Sequence, residues 1–232
     1  TKLIMFNSPN NPSGIVDSEK ELNEFAKILE DYPSVYFLSD EIYEHSIYGE
    51  KHFSFANLPN MFDRTITVNG LAKAFSMTGW RIGYIGAPEF IAKACNKFQG
   101  QITSAANCIA QRSAITALKA PISNIKYMID EFNSRKELIF GLISKIPGFK
   151  LLKPSGAFYL FPDVSFYFGK EINGKIINDA NDFAMTILEE ANVATVSGDS
   201  FGNKNCLRIS YAASKEEIIE AISRIKNLLA NN

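Results

Sequence analysis

Cysteine is scarce in this 232-residue chain: Cys95, Cys108 and Cys206 stand apart, odd in number and with no CxxC pair. That excludes zinc-finger spacing and a disulfide scaffold, and reads as reduced thiols in a cytoplasmic protein. Histidine is scarcer still. His45 and His52 sit in a polar stretch rich in Tyr and Phe and read as structural or surface residues, with no metal site implied. Neither sign of charge is in excess, with 24 Lys and Arg against 25 Asp and Glu. This balance argues against a nucleic-acid binder that works by counterion release. No apolar run approaches the roughly 20 residues of a membrane span. No GxGxxG follows a strand-like run, so the dinucleotide fingerprint is missing. Signal-peptide anatomy and an initiator Met are also missing. The chain opens from Thr1 directly into an apolar run, which reads as a start in mid-domain. What is present is a hydrophobic fraction of 46% with 12% aromatics, enough to build a core and to exclude intrinsic disorder.

The pattern along the chain predicts an α/β fold. Residues 2–6 read as a buried strand, closed by the turn Asn7-Ser8-Pro9-Asn10-Asn11-Pro12-Ser13-Gly14. Ser18 and Glu21 have capping-box spacing, and Leu22, Phe25, Ile28 and Leu29 supply a helical stripe behind them. Val35–Leu38 and Thr65–Val68 are continuous apolar or β-branched runs, as strands buried on both faces should be. Arg81–Gly86 reads as a fourth strand. Only about a dozen residues separate it from the third, too few for a helical crossover, so it should run antiparallel. Helices are expected from Pro88, over Ile109–Leu118, and from Pro121 continuously to Pro147-Gly148. Beyond lie short strands at Phe149–Leu152, Ala157–Phe161, Val193–Ser197 and Leu207–Tyr211, a helix over Asp182–Ala191, and a last helix opened by Ser214 and Glu217. The expected division is residues 1–120, part of a mostly parallel sheet domain, and 121–232, a linking helix with a smaller α+β domain.

In parallel α/β sheets, ligands bind beyond the carboxyl ends of the strands. Asn11, Asp40 and Lys73 each follow one of the first three strands, and Arg81 is close by. An amide, an acid, an amine and a guanidinium suit neither hydride transfer nor a metal. They suit pyridoxal phosphate, which needs a lysine for its aldehyde, a carboxylate for its ring nitrogen and cations for its phosphate. Taken singly, each residue has a plainer reading. Lys73 could be a solvated surface lysine, Asp40 a turn residue, Asn11 part of an Asn-Pro turn, Tyr43 a core aromatic, Arg81 a strand-end charge and Arg208 a charge on an exposed strand face.

Taken together the motifs resemble those of class I/II, fold-type I aminotransferases. Asn7–Gly14 is similar to their NxPxNPTG turn, Ser39-Asp40-Glu41-Ile42-Tyr43 to their SDEIY strand end, and Gly70–Gly83 to the lysine signature with its arginine eight residues on. Pro154-Ser155-Gly156-Ala157-Phe158-Tyr159 and Leu207-Arg208-Ile209-Ser210-Tyr211-Ala212 resemble the two motifs of the C-terminal domain. The wording is closest to bacterial aspartate and aspartate/prephenate enzymes.

The resemblance implies that Lys73 links covalently to pyridoxal phosphate and, once released, moves a proton between the substrate Cα and the cofactor. It implies Asp40 on the pyridine nitrogen, Asn11 and Tyr43 on the phenolate oxygen and Arg81 on the phosphate. Arg208, with Asn11, falls on the substrate α-carboxylate. Trp80, Phe158 and Tyr159 read as packing residues. The implied protein is a cytoplasmic homodimer that passes an amino group between an amino acid and a 2-oxo acid, aspartate with 2-oxoglutarate first, without nucleic acid or membrane as partners. An aromatic aminotransferase, a C–S β-lyase and a non-catalytic ligand-binding module on the same fold are the rival readings.

Two departures stand out. Ser13 replaces the usual Thr, and Gly70 stands where some relatives carry a phosphate-contacting Ser. The family's N-terminal half would also lie before Thr1, so the stretch alone is expected to be a poor enzyme. Gln99–Asn107, which reaches the partner's site in relatives, contains no arginine.

Overall fold

The computed structural model describes residues 1–49 and 51–230. It divides into two compact units, Thr1–Asn10 with Ile15–Ile129, and Asn11–Gly14 with Asp130–Asn232.

The first unit is built on four strands in the order β1-β2-β3-β4: β1 (Leu3–Asn7), β2 (Tyr36–Asp40), β3 (Thr65–Gly70) and β4 (Gly83–Gly86). The first three are parallel and β4 runs antiparallel to β3, as the short connection requires. Between β1 and β2, α1 (Glu19–Glu30) starts on the Ser18–Glu21 capping box. Leu22, Ala26 and Leu29 recur on one face and are buried with Val35, Phe37, Phe55, Leu58 and Met61. The Phe37 and Phe55 rings stack at 3.7 Å, and Phe6 and Phe25 close around Phe37. Fully burying an aliphatic or aromatic side chain contributes about 1.5–3 kcal/mol, so this cluster holds the βαβ unit shut. The helices α2 (Glu89–Ile102) and α3 (Cys108–Lys119) follow, and α4 (Lys126–Ile143) carries the chain out of the first unit.

The second unit centres on the strand order β5-β9-β8, with β5 (Tyr159–Leu160), β8 (Val196–Ser197) and β9 (Leu207–Ser210) antiparallel throughout. A hairpin of β6 (Glu171–Ile172) and β7 (Lys175–Ile176), α5 (Ala180–Ala191) and α6 (Lys215–Ala230) complete it. Ile139 and Ile143 of α4, Phe183 and Ile187 of α5, and Ile218, Ile222 and Ile225 of α6 form one core with Leu160, Leu207 and Tyr211. Asp179 caps α5 by accepting from the Asn181 and Asp182 N–H groups, and Ser214 exchanges hydrogen bonds with Glu217 ahead of α6.

The expected elements shift in several places. The fourth strand begins at Gly83, with Arg81 left in the preceding turn, and β1, expected to be buried, leaves Leu3 and Met5 exposed. The helix after Pro121 is broken: a 3-10 turn over Ile122–Asn124, with the Asn124 N–H donating to the Pro121 carbonyl, precedes α4, which ends at Ile143. Pro88 caps α2, its carbonyl accepting from the Ile91 and Ala92 N–H groups, where a first helical position was expected. Phe149–Leu152 forms only an isolated bridge, Lys150 with Asp163.

Candidate active site

The parallel register sets Asn7 beside Asp40, and Asp40 beside Val68. The Asn7 amide donates to the Asp40 carbonyl at 2.9 Å, and the Ser8 N–H reaches the same oxygen at 3.3 Å. These bonds tie the exit of β1 to the end of β2. The half-buried Asp40 carboxylate accepts from the Ile42 N–H at 3.2 Å. Burial pushes this carboxyl above its ordinary value; the Ile42 hydrogen bond opposes the rise and the neighbouring Glu41 carboxylate adds to it. Tyr43, 4% exposed, lies one residue beyond Ile42, and the Lys73 ammonium stands over its ring, 5.8 Å from the centroid. Lys73 is held in a turn anchored by the buried Leu71, with the Phe75 N–H donating to the Leu71 carbonyl and the Ser76 N–H to the Lys73 carbonyl. An acid, a phenol and an amine are thus set on two adjacent strand ends of the first unit.

Arg81 follows a 3-10 turn, Thr78–Trp80, and adopts left-handed backbone angles, φ 51° and ψ 51°. A non-glycine residue is strained there by about 1–2 kcal/mol. Its Nη1 donates to the Thr78 carbonyl at 2.9 Å, and the side chain is otherwise exposed. Gly70 and Gly83 face each other across β3 and β4. A Cβ at Gly70 would come within 3.1 Å of the Ile82 carbonyl oxygen and 3.2 Å of the Gly83 Cα. Glycine at position 70 is therefore what lets β4 approach β3 this closely.

Asn11 and Arg208 belong to the second unit. The Arg208 Nη1 donates to the Asn11 side-chain oxygen at 3.0 Å. Leu207 and Ile209 face the core, so β9 alternation leaves Arg208 half-buried on the opposite face. The Asn11–Gly14 turn is fastened further along: the Gly14 carbonyl accepts from the Ser155 and Gly156 N–H groups at 2.9 and 2.8 Å. Gly14 has φ +70°, and a Cβ there would meet the Pro154 Cβ at 2.5 Å. This contact explains why the first motif ends in glycine and why it meets the Pro154-Ser155-Gly156 motif.

One polar cluster was not foreseen from the sequence. Glu41, 3% exposed, accepts on one oxygen from the Ser39 hydroxyl at 2.9 Å and the Ser54 hydroxyl at 2.7 Å, while His52 Nε2 lies 2.9 Å from the other. It pins both ends of the loop that carries Tyr43. His45 pairs more loosely with Glu44, at 3.4 Å. A carboxylate and a histidine 11 positions apart give no periodic signal, and only the SDEIY wording pointed near them.

The strand ends and motifs so placed are those of one family: residues 1–225 match the class I and II aminotransferases. The chain belongs to that family. It is 44% identical over 99% of its length to a bifunctional aspartate aminotransferase and glutamate/aspartate-prephenate aminotransferase of Petunia hybrida, of which it covers 49%. A probable aspartate/prephenate aminotransferase of Rickettsia felis is 43% identical over 97% of the chain, with 56% of that relative covered. Among solved structures, the aspartate aminotransferase of Rhizobium meliloti superposes with a TM-score of 0.95 at 38% identity, over 99% of this chain and 58% of that one. An aromatic aminotransferase of Pyrococcus horikoshii gives 0.91 at 36%, over 100% and 60%. The chain spans about half the length of the curated relatives it matches. Among the described residues no helix is long and apolar enough to cross a membrane.

Proposed function

We propose that the protein carrying this chain is a pyridoxal phosphate-dependent aminotransferase acting on an amino acid and a 2-oxo acid, aspartate with 2-oxoglutarate first. The observation that carries the reading is the trio of Asp40, Tyr43 and Lys73 on adjacent strand ends, with the Lys73 amine over the Tyr43 ring. The donor set fits the cofactor. Asp40 is a desolvated carboxylate whose ionised form a protonated ring nitrogen would relieve. Arg81 offers a planar fork to a phosphate. Tyr43 and Asn11 supply hydrogen-bonding groups for a phenolate oxygen, and Lys73 supplies the amine.

Pyridoxal phosphate, when bound, supplies an electron sink for the pair of electrons left at the substrate Cα. The chain's residues do the rest. Asp40 holds a proton on the ring nitrogen. Lys73, as an amine, takes the proton from Cα and returns it on the other side of the exchange. Arg208 and Asn11 orient the substrate by its α-carboxylate, which two in-plane N–H groups can grip at once. The same reading extends to a homodimer in the cytoplasm. The named relatives include both aspartate and aromatic enzymes, so aspartate is the first substrate to test and aromatic amino acids the second.

Borohydride reduction of the protein with pyridoxal phosphate, followed by peptide mapping, should place the pyridoxyl group on Lys73. A label on another lysine overturns the assignment.

A further inference from the structure

Arg208 has two aromatic neighbours, Tyr159, read above only as packing, and Phe201, and their role rests on reading Arg208 as the carboxylate-binding residue. It sits on the middle strand of the order β5-β9-β8. On one flank, Tyr159 of β5 pairs in register with Ser210, which places Tyr159 on the Arg208 face, one diagonal step away. On the other flank, Phe201 ends the 3-10 turn Gly198–Phe201 that follows β8 directly. The Arg208 Cζ lies over both rings, 4.9 Å from each centroid.

Both rings are held from behind. Tyr159 is 7% exposed and packs on Phe158, which stacks on Phe132 at 5.2 Å. Phe201 meets Phe161 edge to face at 6.2 Å. Its turn is fixed by the Gly198 N–H donating to the Cys206 carbonyl at 2.7 Å, and a Cβ at Gly198 would fall 2.3 Å from the Asn203 carbonyl oxygen. The guanidinium is therefore flanked by two rings and tied at Nη1 to Asn11.

A guanidinium donates only in its own plane and is weakly hydrated. Rings beside it shield part of the guanidinium from water and leave its N–H groups as the route for an anion. A carboxylate is flat and fills that plane with two oxygens. A sulfonate or phosphonate carries a third oxygen out of the plane of the other two and needs more room beside rings whose centroids lie 4.9 Å from the Cζ. We propose that Tyr159 and Phe201 are positioning residues that hold the Arg208 guanidinium between two rings, so that it takes a flat carboxylate in preference to a tetrahedral anion.

The test uses acetate and methanesulfonate, equal in charge and different in shape, as competitors of the amino-acid substrate in protein loaded with pyridoxal phosphate. The Arg208 Nε–H resonance, followed during each titration, gives a readout independent of turnover. Acetate should bind more tightly than methanesulfonate. Phe201→Leu and Tyr159→Leu should each weaken acetate by about 3- to 30-fold, the range of one cation–π contact. They should leave methanesulfonate within about twofold, while Phe201→Tyr and Tyr159→Phe keep the discrimination. Where a leucine variant melts early, Phe201→Met, which preserves volume, takes its place. Equal loss of both probes, or an unchanged preference in the leucine variants, overturns the proposal. Arg208→Lys separates the two ideas. If it leaves acetate binding intact, the carboxylate reading of Arg208 itself fails. If it weakens acetate while the ring variants do not, only the role of the rings fails.

Discussion

Asp40 and Arg208 are both half-buried at strands, yet their surroundings treat the two charges in opposite ways. Asp40 sits where burial and the neighbouring Glu41 raise the cost of ionising it, with the Ile42 N–H opposing both. Arg208 lies between two rings and donates to an amide oxygen. The first is a carboxylate that a nearby cation would relieve, and the second is a cation held beside two rings and an amide oxygen. Under the proposed function this matches the order of need. On that proposal the cofactor's ring nitrogen would complete the Asp40 environment once and stay, whereas Arg208 would receive and release a carboxylate in every half-reaction.

The largest effect should come from removing Lys73, the amine the proposed function makes the reacting group. Lys73→Ala should lower turnover by at least 10²- to 10⁴-fold, roughly the share that proton transfer by a positioned group supplies, while cofactor binding persists. Single-turnover kinetics together with cofactor retention on gel filtration would show both parts.

Arg208→Lys comes next. Replacing the fork with a point charge should cost on the order of 2–4 kcal/mol of transition-state stabilisation, or roughly 30- to 1,000-fold in kcat/KM. The loss should be similar for dicarboxylic and monocarboxylic amino acids, since both carry the α-carboxylate. A loss confined to the dicarboxylic substrate would move Arg208 to the side chain.

The Glu41 cluster tests the other side of the comparison. Glu41→Gln keeps an oxygen for the two serine hydroxyls but replaces the charged oxygen facing His52 with an amide, and should destabilise by about 1–3 kcal/mol in urea melts. His52→Gln, which keeps a donor near the Glu41 carboxylate, should lose less.

The smallest effect has the most specific sign. Because folding raises the Asp40 pKa, the folded state binds more protons than the unfolded state between the two values. Stability therefore falls as pH rises through that interval, and the penalty persists above it. Asp40→Asn should raise the melting temperature of the cofactor-free protein at neutral pH and flatten its decline across the carboxylate range. Pyridoxal phosphate should then stabilise the wild type more than the variant. A lower melting temperature for cofactor-free Asp40→Asn would contradict the contrast with Arg208.

The parts of this molecule visible in its sequence are those governed by local chemistry. Ser18 and Glu21 announced α1 because a capping box is complete within four residues, and a dozen residues between β3 and β4 left no space for a crossover. The alternation Leu207-Arg208-Ile209 already turned Arg208 away from the core. The candidate site was legible only through motif wording, because Asn11 and Arg208 are 197 positions apart and no periodicity links them. The Glu41–His52 pair and the rings beside Arg208 escaped for the same reason. Their partners are chosen by strand order and by loop return, which a linear pattern does not encode. Tyr159 looked like packing, and it does pack; its second contact depends on β5 lying next to β9.

The tetrapeptide Asn11–Gly14 has a consequence for anyone dissecting the gene. It is grouped with residues 130 onward although more than a hundred residues separate them along the chain. A plasmid encoding only Asp130–Asn232 would therefore yield an incomplete module. The Ser155 and Gly156 amides would lose the carbonyl that receives them, and Arg208 would lose its amide partner. A circularly permuted gene, or a short synthetic peptide spanning that turn added in trans, would be needed to restore what a simple truncation removes.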